Sequence, residues 1–217
     1  MSLSAPTKTD FLQVPGASIY YEVRGSGPVL VMMPGGPADA GAFRQIAAYL
    51  DSDYTVVTYD PRGLSHSKLE APLDDERIVQ IFADDVHRLL KATASAPSYV
   101  FASSGGATIS LELAARHPEQ VRTLVCHEPP SPVLLPDPQR EQAAMDDIVE
   151  TYRTSGIGPT MQKFLAHSRV TGGPPPPPPG EPTPEMREAM AQMQRNMDFW
   201  FRITSTPLRR ISPISKR

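Results

Sequence analysis

Apolar residues follow two rhythms along this chain. From Phe11 to Cys126, short apolar runs alternate with segments of helical spacing. Phe11 to Val14 and Ser18 to Val23 are β-type runs split by Pro15-Gly16, which predicts a hairpin. Gly25-Ser26-Gly27-Pro28 predicts a turn. Val29 to Met33 is continuously apolar, as a strand buried on both faces should be. Pro34-Gly35-Gly36-Pro37 breaks it. Phe43, Ile46, Ala47 and Leu50 then recur at helical spacing, and Tyr54 to Tyr59 reads as the next strand. Between Asp75 and Ala94, Ile78, Ile81, Phe82, Val86, Leu89 and Leu90 form one apolar stripe, with Asp84, Asp85, Arg88 and Lys91 expected on the solvent side. A strand at Tyr99 to Phe101 meets the small-residue turn Ala102-Ser103-Ser104-Gly105-Gly106. A helix from Ala107 to His117 follows, with Ile109, Leu111, Leu113 and Ala114 facing the core. Val121 to Cys126 reads as a last buried strand. Strands alternating with helices predict a mostly parallel α/β sheet with flanking helices and right-handed crossovers.

The rhythm changes after Glu128. Pro129-Pro130-Ser131-Pro132 opens a proline-rich connection. Helical patterns are expected over Pro138 to Thr154, Gly158 to Ser168 and Pro184 to Ile203, the last opened by Thr183 as a cap. Six consecutive prolines, Pro174 to Pro179, predict an extended polyproline II spacer. Met186, Met190, Met193 and Met197 recur with Phe199, Trp200 and Phe201, which predicts a helix packing face. The division expected is a core over residues 1–128, a helical, Pro-rich cap over 129–206 and a basic tail over 207–217.

The strand, sharp turn and helix around Ser104 have a chemical meaning. Small residues on both sides let the backbone bend tightly and carry the serine hydroxyl clear of the sheet. The elbow spacing selects Ser104 over its neighbour Ser103. Three more landmarks stand in order: Val29 to Pro37, Tyr59 to Ser67, and His117 to Val125. Together the four resemble the N-terminal part of an α/β-hydrolase. Ala102 replaces the first glycine of the elbow pattern, Pro34 stands where histidine is common, and Ser65 stands where glycine is usual. The resemblance implies that Ser104 is the nucleophile and that the backbone N–H groups of Gly36 and Gly105 form the oxyanion hole. Within the Asp60 to Ser67 loop, Asp60 and Arg62 are expected to hold loops near the site through ion pairs and backbone hydrogen bonds, and His66 to be an exposed loop residue.

In that family the triad runs Ser, then Asp or Glu, then His. After Ser104 the chain has His117, His127 and His167, and none occupies the family's histidine position. Glu128, just after the last strand, is the one acid the resemblance offers. The chain resembles an α/β-hydrolase cut off after its cap, lacking the C-terminal strands. Two functional readings stay open. One is a serine hydrolase acting on a small apolar ester, lactone or amide, impaired because its base is missing. The other is a non-catalytic ligand-binding or interaction protein that keeps the hydrolase pocket.

Composition narrows the partners. The 217 residues carry a net charge of -3 with no basic cluster, which argues against nucleic acid. No segment approaches the roughly 18 apolar residues needed to span a bilayer. Cys126 is the only cysteine, so no intrachain disulfide is expected and a cytoplasmic, reducing setting is the default. No metal-ligand cluster and no phosphate-binding glycine loop stands out, so no cofactor is expected. The expected partners are a small-molecule substrate and, through the last strand as an open sheet edge, a second copy.

Overall fold

The computed structural model describes residues 7–131, 134–168 and 181–204. The polyproline run and the basic tail lie outside them. β1 (Lys8–Val14) and β2 (Ala17–Gly25) form the expected hairpin, in register from Val14 opposite Ala17 to Lys8 opposite Val23. β3 (Val29–Met33), α1 (Arg44–Leu50), β4 (Thr55–Tyr59), β5 (Lys68–Leu69), α2 (Ile78–Thr93), β6 (Ser98–Ser103), α3 (Gly105–Arg116) and β7 (Val121–His127) complete the sheet and its helices. The strand order is β1-β2-β4-β3-β6-β7, with β5 added to β2. β4, β3, β6 and β7 run parallel, whereas β1, β2 and β5 pair antiparallel. The two-residue β5 has no apolar pattern and does not register in the sequence.

Alternation along the strands builds two cores. Val31, Val57 and Val100 point to one face, where Phe82, Val86, Leu89 and Leu90 of α2 and Leu113 of α3 bury against them. Leu30, Met32 and Val56 point to the other, against Phe43 and Ala47. Each such side chain contributes about 1.5–3 kcal/mol of transfer free energy. Helices thus cover both faces of the parallel strands, and the strands' C-terminal ends converge where Met33, Tyr59 and Ser103 stop.

Four sequence expectations change. Asp85 does not face solvent: it is buried and takes a bidentate ion pair from Arg62, with Arg62 Nε at 2.7 Å. A charge on a helix's polar face can be drawn inward when a distant loop supplies its partner. Ile46 is half out of the core, 48% exposed. β7 is one edge of the described sheet, with β1 at the other end of the order, and is largely exposed along its length, with Val125 50% accessible. The methionine stripe packs only in part: Met190 and Met193 are exposed, Met186 and Met197 are half-buried, and Phe199 and Trp200 pack against the core.

Three helices follow the sheet: α4 (Pro138–Ser155), α5 (Ile157–Ser168) and α6 (Pro184–Thr204). α5 is tied to α4 by Lys163 with Asp147 at 2.7 Å and by His167 with Glu141 at 3.2 Å. Thr183 caps α6 as expected, accepting from Met186 N. α6 is the helix that returns to the sheet. Its buried positions, Asn196 and Ile203, with Phe199 and Trp200 partly buried between them, fall at helical spacing, and Ile203 enters the larger core.

Candidate active site

The elbow is built by backbone geometry. β6 ends at Ser103, and Ser104 follows with φ 51° and ψ −123° before α3 begins at Gly105. A non-glycine residue at positive φ costs about 1–3 kcal/mol and persists only when its surroundings fix it. Here they do. Ser104 N donates to His127 O at 2.8 Å, and Ser104 O accepts from Ala107 N at 2.9 Å. Gly35 lies so close that a Cβ there would stand 2.6 Å from Ser103 O and 2.7 Å from the Ser104 Cβ. Gly106 approaches the end of β3 equally closely, its Cβ position 2.7 Å from Met33 O. Only glycines let the two strand ends touch at this point. Ser104 itself is half-buried.

Gly36 and Gly105 meet beside it. The position a Cβ would take on Gly105 lies 3.5 Å from Gly36 N. Gly105 opens α3, so its N–H is one of the first-turn donors without an intrahelical partner. The positive end of the helix dipole reinforces that donor. The indole of Trp200 closes this corner, with Cη2 3.1 Å from the same point.

The loop after β4 holds the corner from the other side. Asp60 is buried and accepts from Ala40 N at 2.9 Å, His66 N at 2.9 Å and His66 Nδ1 at 2.8 Å. Burial pushes its carboxyl above the usual range, partly opposed by these donors. Arg62 reaches Pro15 O as well as Asp85. Asp60 and Arg62 therefore hold loops together. The His66 ring is 68% exposed and leans on Tyr20 at 4.6 Å.

The acid and base side is different. Glu128 follows β7 at φ 51°, with its side chain 82% exposed and 3.9 Å from His127 Nδ1. His127 brings its backbone, not its ring, to Ser104. His117 caps the C-terminal end of α3, stacked on His87 at 3.7 Å. His167 sits on α5 against Glu141. Among the described residues no histidine or carboxylate is hydrogen-bonded to Ser104 Oγ, and no cluster of His, Cys, Asp and Glu could hold a metal ion. No described helix is long and apolar enough to cross a membrane. An open groove of about 530 Å³ lies between α4 and α6, lined by Tyr152, Arg195 and Phe201. It is a feature of the helices and is not built from the elbow residues.

The sequence pattern missed the contribution of α6. Asn196 and Trp200 lie on α6, more than 90 residues beyond Ser104. The one available signal was their spacing with Phe199 and Ile203 on a single stripe, which the neighbouring methionines obscured.

Comparison with known proteins agrees with this layout. The model of a family described as alpha/beta hydrolase fold matches residues 28–200. The Bacillus subtilis protein named "Uncharacterized hydrolase YraK" is 47% identical over 148 residues, 67% of this chain and 54% of its own length. A zearalenone hydrolase of Bionectria ochroleuca is 32% identical over 124 residues, 55% of this chain and 46% of its own. This chain therefore spans about half the length of the curated relatives it matches. Among solved structures, a hydrolase from Pseudomonas aeruginosa PA01 superposes with a TM-score of 0.64 at 20% identity, covering 92% of this chain and 73% of that one.

Proposed function

Starting from a chain that belongs to the alpha/beta hydrolase fold family, we propose that Ser104 is the nucleophile of a serine hydrolase site. Its substrate is a small, fairly apolar ester, lactone or amide. Gly36 and Gly105 supply the oxyanion hole, Glu128 stands at the position of the triad acid, and α4 to α6 form the cap. The observation that carries the reading is the strained backbone of Ser104, held at φ 51° by the bare turn at Gly35. Strain of about 1–3 kcal/mol kept at a residue over-determined by its surroundings clusters at functional sites, and here it presents a serine hydroxyl at the start of a helix. The apolar rings of Phe199 and Trp200 near the corner support an apolar substrate, as does the likeness to proteins named zearalenone hydrolase.

The mechanism follows from charge. Attack of Ser104 Oγ on a carbonyl carbon forms a C–O bond and moves the carbonyl electron pair to oxygen. Each backbone N–H aimed at that oxyanion is worth roughly 3–4 kcal/mol of barrier. The serine proton needs an acceptor, and no base stands against Ser104 among the described residues. What remains is the residual acceleration of about 10³–10⁴ over water that an oxyanion hole and binding supply in serine hydrolases. Turnover by this chain alone is therefore severely impaired. The open edge at β7 is where a second copy associates, which sedimentation across a concentration series checks.

A serine-directed fluorophosphonate tests the reading. The expected result is slow, stoichiometric labelling that Ser104→Ala abolishes and that added imidazole accelerates. Folded wild-type protein that takes no label would overturn the nucleophile and favour the non-catalytic binding reading, to which the exposure of Glu128 already lends weight.

A further inference from the structure

Asn196 lies on the buried side of α6 and is 2% exposed. Its carboxamide uses every hydrogen-bonding direction it has. Oδ1 accepts from Ser65 N at 2.9 Å and from Gln192 Nε2 at 2.9 Å. Nδ2 donates to Pro37 O at 3.1 Å and to Ser65 Oγ at 2.9 Å. Ser65 Oγ in turn donates to Asp39 Oδ2 at 2.6 Å. One side chain thus joins α6 to the turn that carries Gly36 and to the loop that follows β4.

Both of those segments need an outside hold. Gly36 has φ 55° and nothing within 4 Å of its Cβ position, so packing does not fix it from that side. The turn's own backbone bond is Ala38 N to Gly35 O, at 3.2 Å. Ser65 is a non-glycine residue at φ 46°. Asn196 clamps the far side of the turn at Pro37 and the strained Ser65 at once. One helical turn on, the Trp200 indole rests against Gly105, and Phe199 lies on the bare face of Gly63. A buried amide is costly unless it is bonded, and this one is bonded in full, whereas a leucine could pack there but would make none of the bonds to Pro37 and Ser65.

We propose that Asn196 is the positioning residue of this site: it fixes the turn bearing Gly36 and seats Trp200 against Gly105. The claim on reaction rate rests on the nucleophile reading above; the claim on Trp200 does not.

Trp200 is the only tryptophan of the chain, so its fluorescence reports this corner alone. The test compares Asn196→Ala and Asn196→Asp with Thr151→Val, a buried α4 control whose hydroxyl bonds within its own helix, to Asp147 O at 2.7 Å. Asn196→Asp keeps the shape and loses both donor bonds. Both Asn196 variants should red-shift the Trp200 emission and make it easier to quench with acrylamide, with Thr151→Val unchanged. In folded protein they should lower the maximal fluorophosphonate labelling rate about tenfold, the loss of one to two hydrogen bonds, without changing the half-saturating reagent concentration. Wild-type labelling rate in Asn196→Asp, while Ser104→Ala takes no label, would overturn the positioning role and leave the nucleophile standing. Should wild-type protein take no label at all, the nucleophile reading fails by itself. Trp200 quenching then decides, and unchanged quenching in both variants overturns this inference.

Discussion

Ser104 and Glu128 are a matched pair with opposite surroundings. Each follows the C-terminal end of a parallel strand, β6 and β7, and the two strands are neighbours. Each is a non-glycine residue at φ 51°. Around Ser104 everything is fixed: a helix starts at the next residue, Gly35 presses on its Cβ, and its N–H is bonded to His127 O. Around Glu128 little is fixed. Its side chain is 82% exposed and its neighbour is His127 at 3.9 Å, itself 58% exposed. The same backbone strain is therefore enforced by packing at one position and left to the local chain at the other. The difference separates a built half-site, the proposed nucleophile and oxyanion donors, from a proposed acid whose role rests on its position alone.

The largest effect should come from disturbing the packed member of the pair. Gly35→Ala drives a Cβ into Ser103 O and the Ser104 Cβ. Because these contacts are backbone or lie next to it, they cannot swing aside, and the loss should be about 3 kcal/mol. A fall in Tm together with loss of fluorophosphonate labelling is the expected outcome. Wild-type stability in Gly35→Ala would show that Ser104 is no more constrained than Glu128.

Next comes relief of strain at the exposed member. Glu128→Gly removes the Cβ penalty of the left-handed conformation and adds freedom to the unfolded chain, for a net gain of about 0.5–1 kcal/mol. Urea unfolding measures it. A loss of stability instead would show that the Glu128 side chain is held by contacts stronger than its 3.9 Å approach to His127. Removing the charge alone, in Glu128→Gln, should slow Ser104 labelling by less than about threefold, since an exposed carboxylate acts through screened solvent. A far larger drop would give Glu128 a direct role beside Ser104 and bring the two halves of the site level.

How far the sequence carried each half has a physical explanation. The strands, the hairpin at Pro15-Gly16 and the elbow announce themselves through local pattern, because apolar alternation and glycine or proline punctuation are short-range properties. Asp85 was misplaced because helical periodicity assigns charges to solvent, and its partner Arg62 lies 23 residues away in another element. Asn196 left only its helical spacing with Phe199 and Ile203 for the same reason, with partners 131 and 159 residues distant. The methionines of α6 mark a stripe that is half exposed, at Met190 and Met193, while Asn196 and Ile203 are the positions buried toward the sheet. What stays hidden in a sequence is any group whose role is set by a remote polar partner.

The smallest effect sits at the far end of α3, where the contrast with the elbow can be isolated. His117 caps that helix, and its ring stacks on His87 at 3.7 Å with an angle of 16°. Burial and then the like charge of His87 hold its pKa below the ordinary value. A histidine with a lowered folded pKa binds fewer protons folded than unfolded. Its contribution to stability is complete above the unfolded pKa, about 6.5, and is lost as the pH falls below that. The urea midpoint should therefore drop between pH 7.5 and pH 5.5, and His117→Gln should flatten that drop while leaving the Ser104 labelling rate at pH 7.5 unchanged. An equal drop in His117→Gln would assign the acid sensitivity elsewhere. A change in labelling would mean that the two ends of α3 are coupled, and that the rigidity of Ser104 reaches beyond the glycines packed around it.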